Sequence, residues 1–488
     1  MTYFSEERRS KLIIHTGVVD IRAHVDQRPN RGNHFATSKG RNPKLESELS
    51  MTKALAAAVV LILSTTCGCL SQLPAPVADG KDIRFDVNDV SFLWPAPKTT
   101  QDVSTLISVD EKLDDGMSSI LSQKAFEGLL STARTVSVAD SAGRENTMKF
   151  QDEFTTRSAW KIAGLRVDPS APGASPDLIK SFGSLPQLRL IVQPVTVKDK
   201  TVQVHDVTMH LVFNYAKEVK ITDAGPIAIP DKEKFAAIVQ DLASLKAVLK
   251  KAGVATEGKL TVHPGFNNDK AKDFADQVKL FLKKHLSEDR LGAMAFMGID
   301  PPEPWFFVAL QRQKDSTFAI LKNASIGGNS AQMLMLRGGT PVMPRPTTTN
   351  VDSKKGVSTS FLYPDAIGTA RLEKAVFDDT PELKHKDIPD LIANPQRAHF
   401  FNTDCVSCHS ESSRRTILKI ATGVSKFGYK RPDGISGVDE NVLPKSIWNV
   451  RNFGWFPGSP TAIETAALRT ANEAADSAEF INKTYLNP

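Results

Sequence analysis

Cys405-Val406-Ser407-Cys408-His409 sets two thiols three positions apart, with an imidazole directly after the second. The reading of the last hundred residues turns on this stretch. Structural zinc takes four ligands, usually as two separated pairs, and no further cysteine or histidine follows His409. A redox C-x-x-C pair belongs in a thioredoxin-like strand–helix–strand setting, which the flanking sequence does not show. About eighty residues follow the motif, enough for a small helical domain. Near the chain end Thr461 and Glu464 have the spacing of a capping box. Leu468, Ala471, Ala475, Ala478, Ile481 and Tyr485 then make one apolar helical face.

C-x-x-C-H is the attachment signature of c-type haem. Two thiols at this spacing can add to the two vinyl groups of one porphyrin, which holds the adjacent histidine under the iron. The segment from Leu383 to Pro488 resembles the class I cytochromes c, with Phe401 four residues before Cys405, where that family has an aromatic residue. The resemblance implies a small all-α domain with one covalent haem c, bound by Cys405 and Cys408, with His409 as proximal iron ligand. It also implies one-electron transfer to a redox partner that the sequence does not name. The chain departs from the family in having no Met or His after His409. In the loop Leu443 to Phe456, Trp448, Phe453, Trp455 and Phe456 are candidates for haem walls or for plain core, and Arg451 for a propionate partner. Lys445, Asn449, Asn452, His385, His399, Met343 and water remain open for the sixth iron position. Weak donors in the loop lead us to expect a five-coordinate or weakly ligated iron. Such a site admits two rival functions, a haem enzyme or small-ligand sensor and a partner-binding protein with a haem module.

Met51-Thr52-Lys53 precedes an apolar run, Ala54 to Leu63, that ends in Ser64-Thr65-Thr66-Cys67-Gly68-Cys69. A charged start, a short apolar stretch and a small-residue end are the layout of a secretory signal. The run is too short to span a bilayer, which takes about 20 apolar residues. Residues 51–69 therefore read as a signal peptide ending at a lipobox-like cysteine. Cys69 is the candidate lipidation site, and residues 70–82 form a tether. Met51 reads as the start, and residues 1–50 as a misassigned or disordered extension. The expected location is the periplasm, or the outer membrane through a lipid anchor. Nine basic and six acidic residues precede Met51 and Lys53 lies in the signal, which leaves 51 basic against 49 acidic. So balanced a chain gives no electrostatic case for nucleic-acid binding.

Residues 83–340 read as an α+β region. Val207, Met209, Leu211, Phe213 and Tyr215 alternate with polar neighbours, and with the run from Leu188 they suggest a half-buried hairpin turning at Lys198-Asp199-Lys200. Pro194 argues for an edge or a bulge. Asp231 to Gly253 predicts an amphipathic helix, Asp269 to Leu286 a second, and Ala293 to Ile299 and Trp305 to Arg312 two strands. His205, His210, His263 and His285 form no recognisable ligand pair and read as core or surface residues. No phosphate-binding glycine loop, nucleophile elbow or helical zinc motif occurs. Residues 341–382 read as a Pro/Thr-bearing linker. The expected fold class is thus an α+β region followed by a small all-α cytochrome c-like domain over 383–488. For the N-terminus, we expect mass spectrometry of the mature protein to find an acylated Cys69 as first residue; an unmodified terminus beyond it would rule out the anchor.

Overall fold

Thr208, His210, Val212 and Asn214 alternate with Met209, Leu211 and Phe213, the period of a pleated strand. In the computed structural model this run lies inside a ten-stranded antiparallel sheet. The structure describes residues 83–113, 119–139, 145–170, 184–222, 225–299, 304–323, 328–335, 345–348, 387–398, 403–423, 425–458 and 461–486. The sheet strands are β1 (Ser91–Leu93), β2 (Trp160–Asp168), β3 (Gln187–Lys198), β4 (Thr201–Val204), β5 (Thr208–Asn214), β6 (Leu291–Ile299), β7 (Trp305–Arg312), β8 (Phe318–Ile320), β9 (Gln332–Met335) and β10 (Arg345–Thr348). They lie in the order β1-β2-β3-β5-β6-β7-β9-β10, with β4 beside β3 and β8 beside β7. Four helices matter below: α1 (Lys232–Lys251), α2 (Ile388–Ala393), α3 (Cys405–Leu418) and α4 (Leu468–Ile481).

Several upstream expectations are met. Asp231 caps α1 by accepting from Lys234 N, and Gly253 ends it at φ +72°, a conformation open to glycine. Asp199 and Lys200 make the turn between β3 and β4, both at positive φ. Pro194 is neither at an edge nor in a bulge. It sits where β3 exchanges its partner β5 for β4, with His205 N bonded to its carbonyl, so its missing N–H breaks no ladder bond. β3 and β5 are largely buried on both faces because the sheet is covered on both sides, whereas the expected turn and β4 after it are largely exposed. Met209, Leu211, Phe213, Met294, Phe296, Phe306 and Val308 join the large core on one side. On the other, Met297, Trp305, Phe307 and Leu334 meet Ile388, Leu391, Ile392, Val406 and Val450.

That second contact overturns the expected all-α cytochrome c-like domain. The C-terminal residues form the layer that covers the sheet, and they include two strands, β11 (Phe453–Phe456) and β12 (Ile463–Ala466), paired antiparallel. Phe453-Gly454-Trp455-Phe456 carries its aromatics with the period of a strand, and β11 lies against β2 and β3. Gln193 on β3 fixes it there, accepting from Trp455 N at 2.6 Å and donating to Trp455 O at 2.8 Å. Gly454 adopts φ +123°, and a Cβ on it would fall 2.4 Å from Gln193 Oε1. The capping-box spacing of Thr461 and Glu464 is overridden by the strand. Glu464 accepts from Ala96 N at 2.9 Å, and the helix starts only at Leu468. Leu468, Ala471, Ala475, Ala478 and Ile481 do pack into the large core, and Tyr485 packs on Phe235. Of the expected linker over 341–382, Arg345–Thr348 is described and is sheet strand β10. Residues 1–82, and with them Cys69 and the signal, lie outside the described residues.

The two ends of the described chain are stapled together by Asn482, which donates to Phe85 O at 2.9 Å and accepts from Phe85 N at 2.7 Å. Leaving those buried backbone groups unpaired costs about 1–3 kcal/mol each. Asn482→Ala should therefore lower the unfolding free energy in urea by about 2 kcal/mol or more; a loss below about 0.5 kcal/mol would mean that the C-terminus is not part of the cooperative fold.

Candidate functional site

Asp404 stops the chain entering α3 in an extended conformation and caps the helix, accepting from Ser407 N at 2.9 Å. The first turn of α3 is pinned to the sheet by Gln332 of β9. Its Nε2 donates to Asp404 Oδ1 at 3.1 Å and its Oε1 accepts from Val406 N at 3.2 Å. Positions i, i+3 and i+4 of a helix share a face, so Cys405, Cys408 and His409 look the same way. All three line one cavity of about 130 Å³ between α3 and the sheet. Its other walls include Arg166 on β2, Arg189 on β3, His210 on β5, Ala295 on β6, Ala309 on β7, Asn452, and Arg469 and Glu473 on α4.

The thiols are free and are not bonded to each other. Burial, reinforced by the Asp404 carboxylate, pushes the Cys405 thiol up, and burial raises Cys408 to about 12. Thiols raised in this way are poorly activated for thiol–disulfide exchange. Among the described residues no three His, Cys, Asp or Glu side chains converge as a metal-binding group.

Burial lowers His409 to about 4, and its ring is neutral at physiological pH. Nδ1 lies 2.9 Å from Val450 O, and since a carbonyl only accepts, Nδ1 carries the proton. Nε2 is left with its lone pair and has no hydrogen-bond partner among the described residues. A histidine whose second nitrogen donates to a backbone carbonyl is in the arrangement that metal-ligating histidines adopt. Phe307 packs against the ring at 4.8 Å and fixes its plane.

Opposite the thiols lies a buried ion network. Arg166 donates to Glu473 at 2.6 Å and to Asp168 at 2.8 Å, and Arg469 pairs with Glu473 at 2.8 Å. Arg189 stands 3.9 Å from Asp168. Arg166, Arg189 and Arg469 pair with Asp168 and Glu473, and the Nε atoms of Arg166 and Arg189 lack hydrogen-bond partners among the described residues. Asp404 lines the same cavity, so these three arginines are matched by three carboxylates, and the unused Nε donors are the feature that suits a further carboxylate.

The remaining candidates are dispersed. Trp448 packs 5.5 Å from Trp305 in the apolar layer beside Cys405. Arg451 is buried and paired with Asp206, with Nε and Nη1 unpartnered; it does not line the cavity. Phe453 and Trp455 belong to the large core. Lys445 is exposed on a separate pocket, and Asn449 is committed to Thr465 and Arg451 N. Met343, His385, His399 and Phe401 lie outside the described residues. Of the four upstream histidines, three are accounted for. His205 bonds Thr196 at 2.8 Å, His285 bonds Asp241 at 2.6 Å, and His263 stacks on Phe274 at 4.7 Å. His210 is the residue that motif reading passed over; the one signal in the sequence is its place in an alternating strand.

No family model matches the chain, and neither do curated proteins or solved structures.

Burial opposes ionisation of Glu473, but the Arg469 and Arg166 charges outweigh it and hold the carboxyl below its usual 4.5. A carboxyl depressed in the folded state stabilises the fold above 4.5, and that contribution is lost as pH falls from there through the folded value. Glu473→Gln should cost roughly 3–5 kcal/mol near neutral pH, since it leaves buried arginines uncompensated. The gap to wild type should narrow as pH drops below 4.5; urea unfolding across that range would refute the pairing if the gap stayed constant.

Proposed function

We propose that this protein is an exported c-type cytochrome, with one haem held covalently by Cys405 and Cys408, His409 as an iron ligand, and one-electron transfer as its task. The observation that carries the reading is His409. Its Nδ1–H is taken by Val450 O, its ring is neutral, and its Nε2 is unused beside two free thiols on the same cavity.

Attachment needs no external oxidant. Each S–H adds across a vinyl C=C, forming a C–S and a C–H bond, and nothing leaves. When bound, haem supplies one reversible electron, at a potential set by its ligands and surroundings. The chain's own groups do the rest. Cys405 and Cys408 fix the ring edge to α3, and the spare donors of Arg166 and Arg189 suit its carboxylates. Met297, Trp305, Phe307, Val406 and Val450 exclude water from the same layer. The donors fit the group, but the cavity is smaller than the roughly 300–1,000 Å³ usual for ligand pockets. A haem seated here would need α3 to stand further from the sheet than it does in this structure. Export and a lipid anchor at Cys69 rest on the Met51 to Cys69 segment, and the partner is a periplasmic redox protein.

Because thioether bonds outlast the fold, haem should remain on the chain through denaturing electrophoresis after expression with haem-attachment machinery. Replacing both Cys405 and Cys408 with Ala should abolish the haem stain. An unstained wild-type band would sink the assignment.

A further inference from the structure

Resting on that haem reading, we infer that His210 of β5 is the second axial ligand of the iron, so that sheet and helix each supply one imidazole. The inference replaces the weakly ligated iron expected from a C-terminal segment with no Met or His after His409.

Register places the residue. His210 pairs with Ile191 of β3 and Ala295 of β6, and Ala295 pairs with Ala309 of β7. Directly opposed residues of an antiparallel sheet point to one face, so His210, Ala295 and Ala309 form a row beneath α3, and all three line the cavity with His409. The two alanines leave room beside the imidazole where every larger side chain would fill it. Along the same face Met297 and Phe307 fill the neighbouring row.

His210 is also unexplained by anything else in the fold. Among the described residues neither of its ring nitrogens has a hydrogen-bond partner, in contrast to His205 and His285. Polar groups inside a fold are nearly always paired, and an imidazole set without a partner on a central strand, facing a cavity, is an available lone pair. Other donors on the described cavity are weaker claims. The amide of Asn452 is a poor iron ligand, and the arginines carry no lone pair for it. A ligand on a central strand is also held more firmly than one on a loop.

The test uses holoprotein matured with haem, whose covalent haem is first verified on a denaturing gel. Electron paramagnetic resonance and visible spectra should show wild type as six-coordinate and low-spin, with slow and incomplete carbon monoxide binding to the reduced form. His210→Ala should become high-spin and bind carbon monoxide fully, and added imidazole should restore the low-spin spectrum. His210→Met, which keeps a ligand and more of the volume, should stay low-spin but shift to a higher midpoint potential, as thioether ligation does. If the alanine variant loses its fold, the methionine variant carries the test, and an unchanged potential in it overturns the inference. A haem-bearing wild type that is high-spin, or a His210→Ala spectrum identical to wild type, overturns the role of His210 and leaves covalent attachment standing. A wild type without covalent haem overturns the attachment reading instead.

Discussion

Gln332 reaches from β9 with both ends of its amide engaged, one on the Asp404 carboxylate and the other on Val406 N. Both bonds are buried, so breaking them would strand the Val406 N–H away from water and take one donor from the Asp404 carboxylate. The clasp sets the height and rotation of the first turn of α3 over the sheet. That turn carries Cys405, Cys408 and His409, and their common direction into one cavity follows from it. The Val450 carbonyl then fixes the tautomer of His409, and Phe307 of β7 its plane. A site assembled from a helix and neighbouring strands holds its geometry better than one on loops, which suits a group whose chemistry needs a constant environment.

The sheet contributes by being covered on both faces. One face is uniformly apolar and carries the large core. The other changes character along its length, from Trp305, Phe307 and Met297 through the alanine row to Arg166 and Arg189. Apolar packing, free space and buried charge thus follow one another across neighbouring strands, and the C-terminal segment lies over all three. The ion network reaches from β2 to α4 through Glu473, so the electrostatics that suit an anionic group also tie the covering layer to the sheet. Removing one partner of such a pair is costly because the other charge stays buried.

Reading the sequence succeeded where the signal was local. The cap at Asp231 and the stop at Gly253 bound α1, and the strand from Trp305 to Arg312 stands where alternation and β-branched or aromatic residues put it. The motif at Cys405–His409 is local in the same sense, since three side chains within five residues share one helix face and one cavity. It failed where a local preference met a stronger distant one. Thr461 and Glu464 have helix-start spacing, yet pairing with Phe453–Phe456 and the bond from Ala96 N make that stretch a strand. Phe453 and Trp455 read equally as haem walls or as plain core, and the clamp from Gln193 holds their strand where both join the core.

Sequence alone determined that two thiols and an imidazole stand within five residues of one another, and that residues 208–214 alternate between two faces. Tertiary structure decided what those facts amount to. The C-terminal residues are a layer on a sheet and not a separate helical domain, because their apolar side chains meet their partners on β6, β7 and β9. His210 and His409, about two hundred residues apart, share a cavity because of the register between β3, β5 and β6. A period of two tells which side chains share a face. Which element covers that face is fixed by pairings between distant segments, whose energies depend on partners that no local stretch contains.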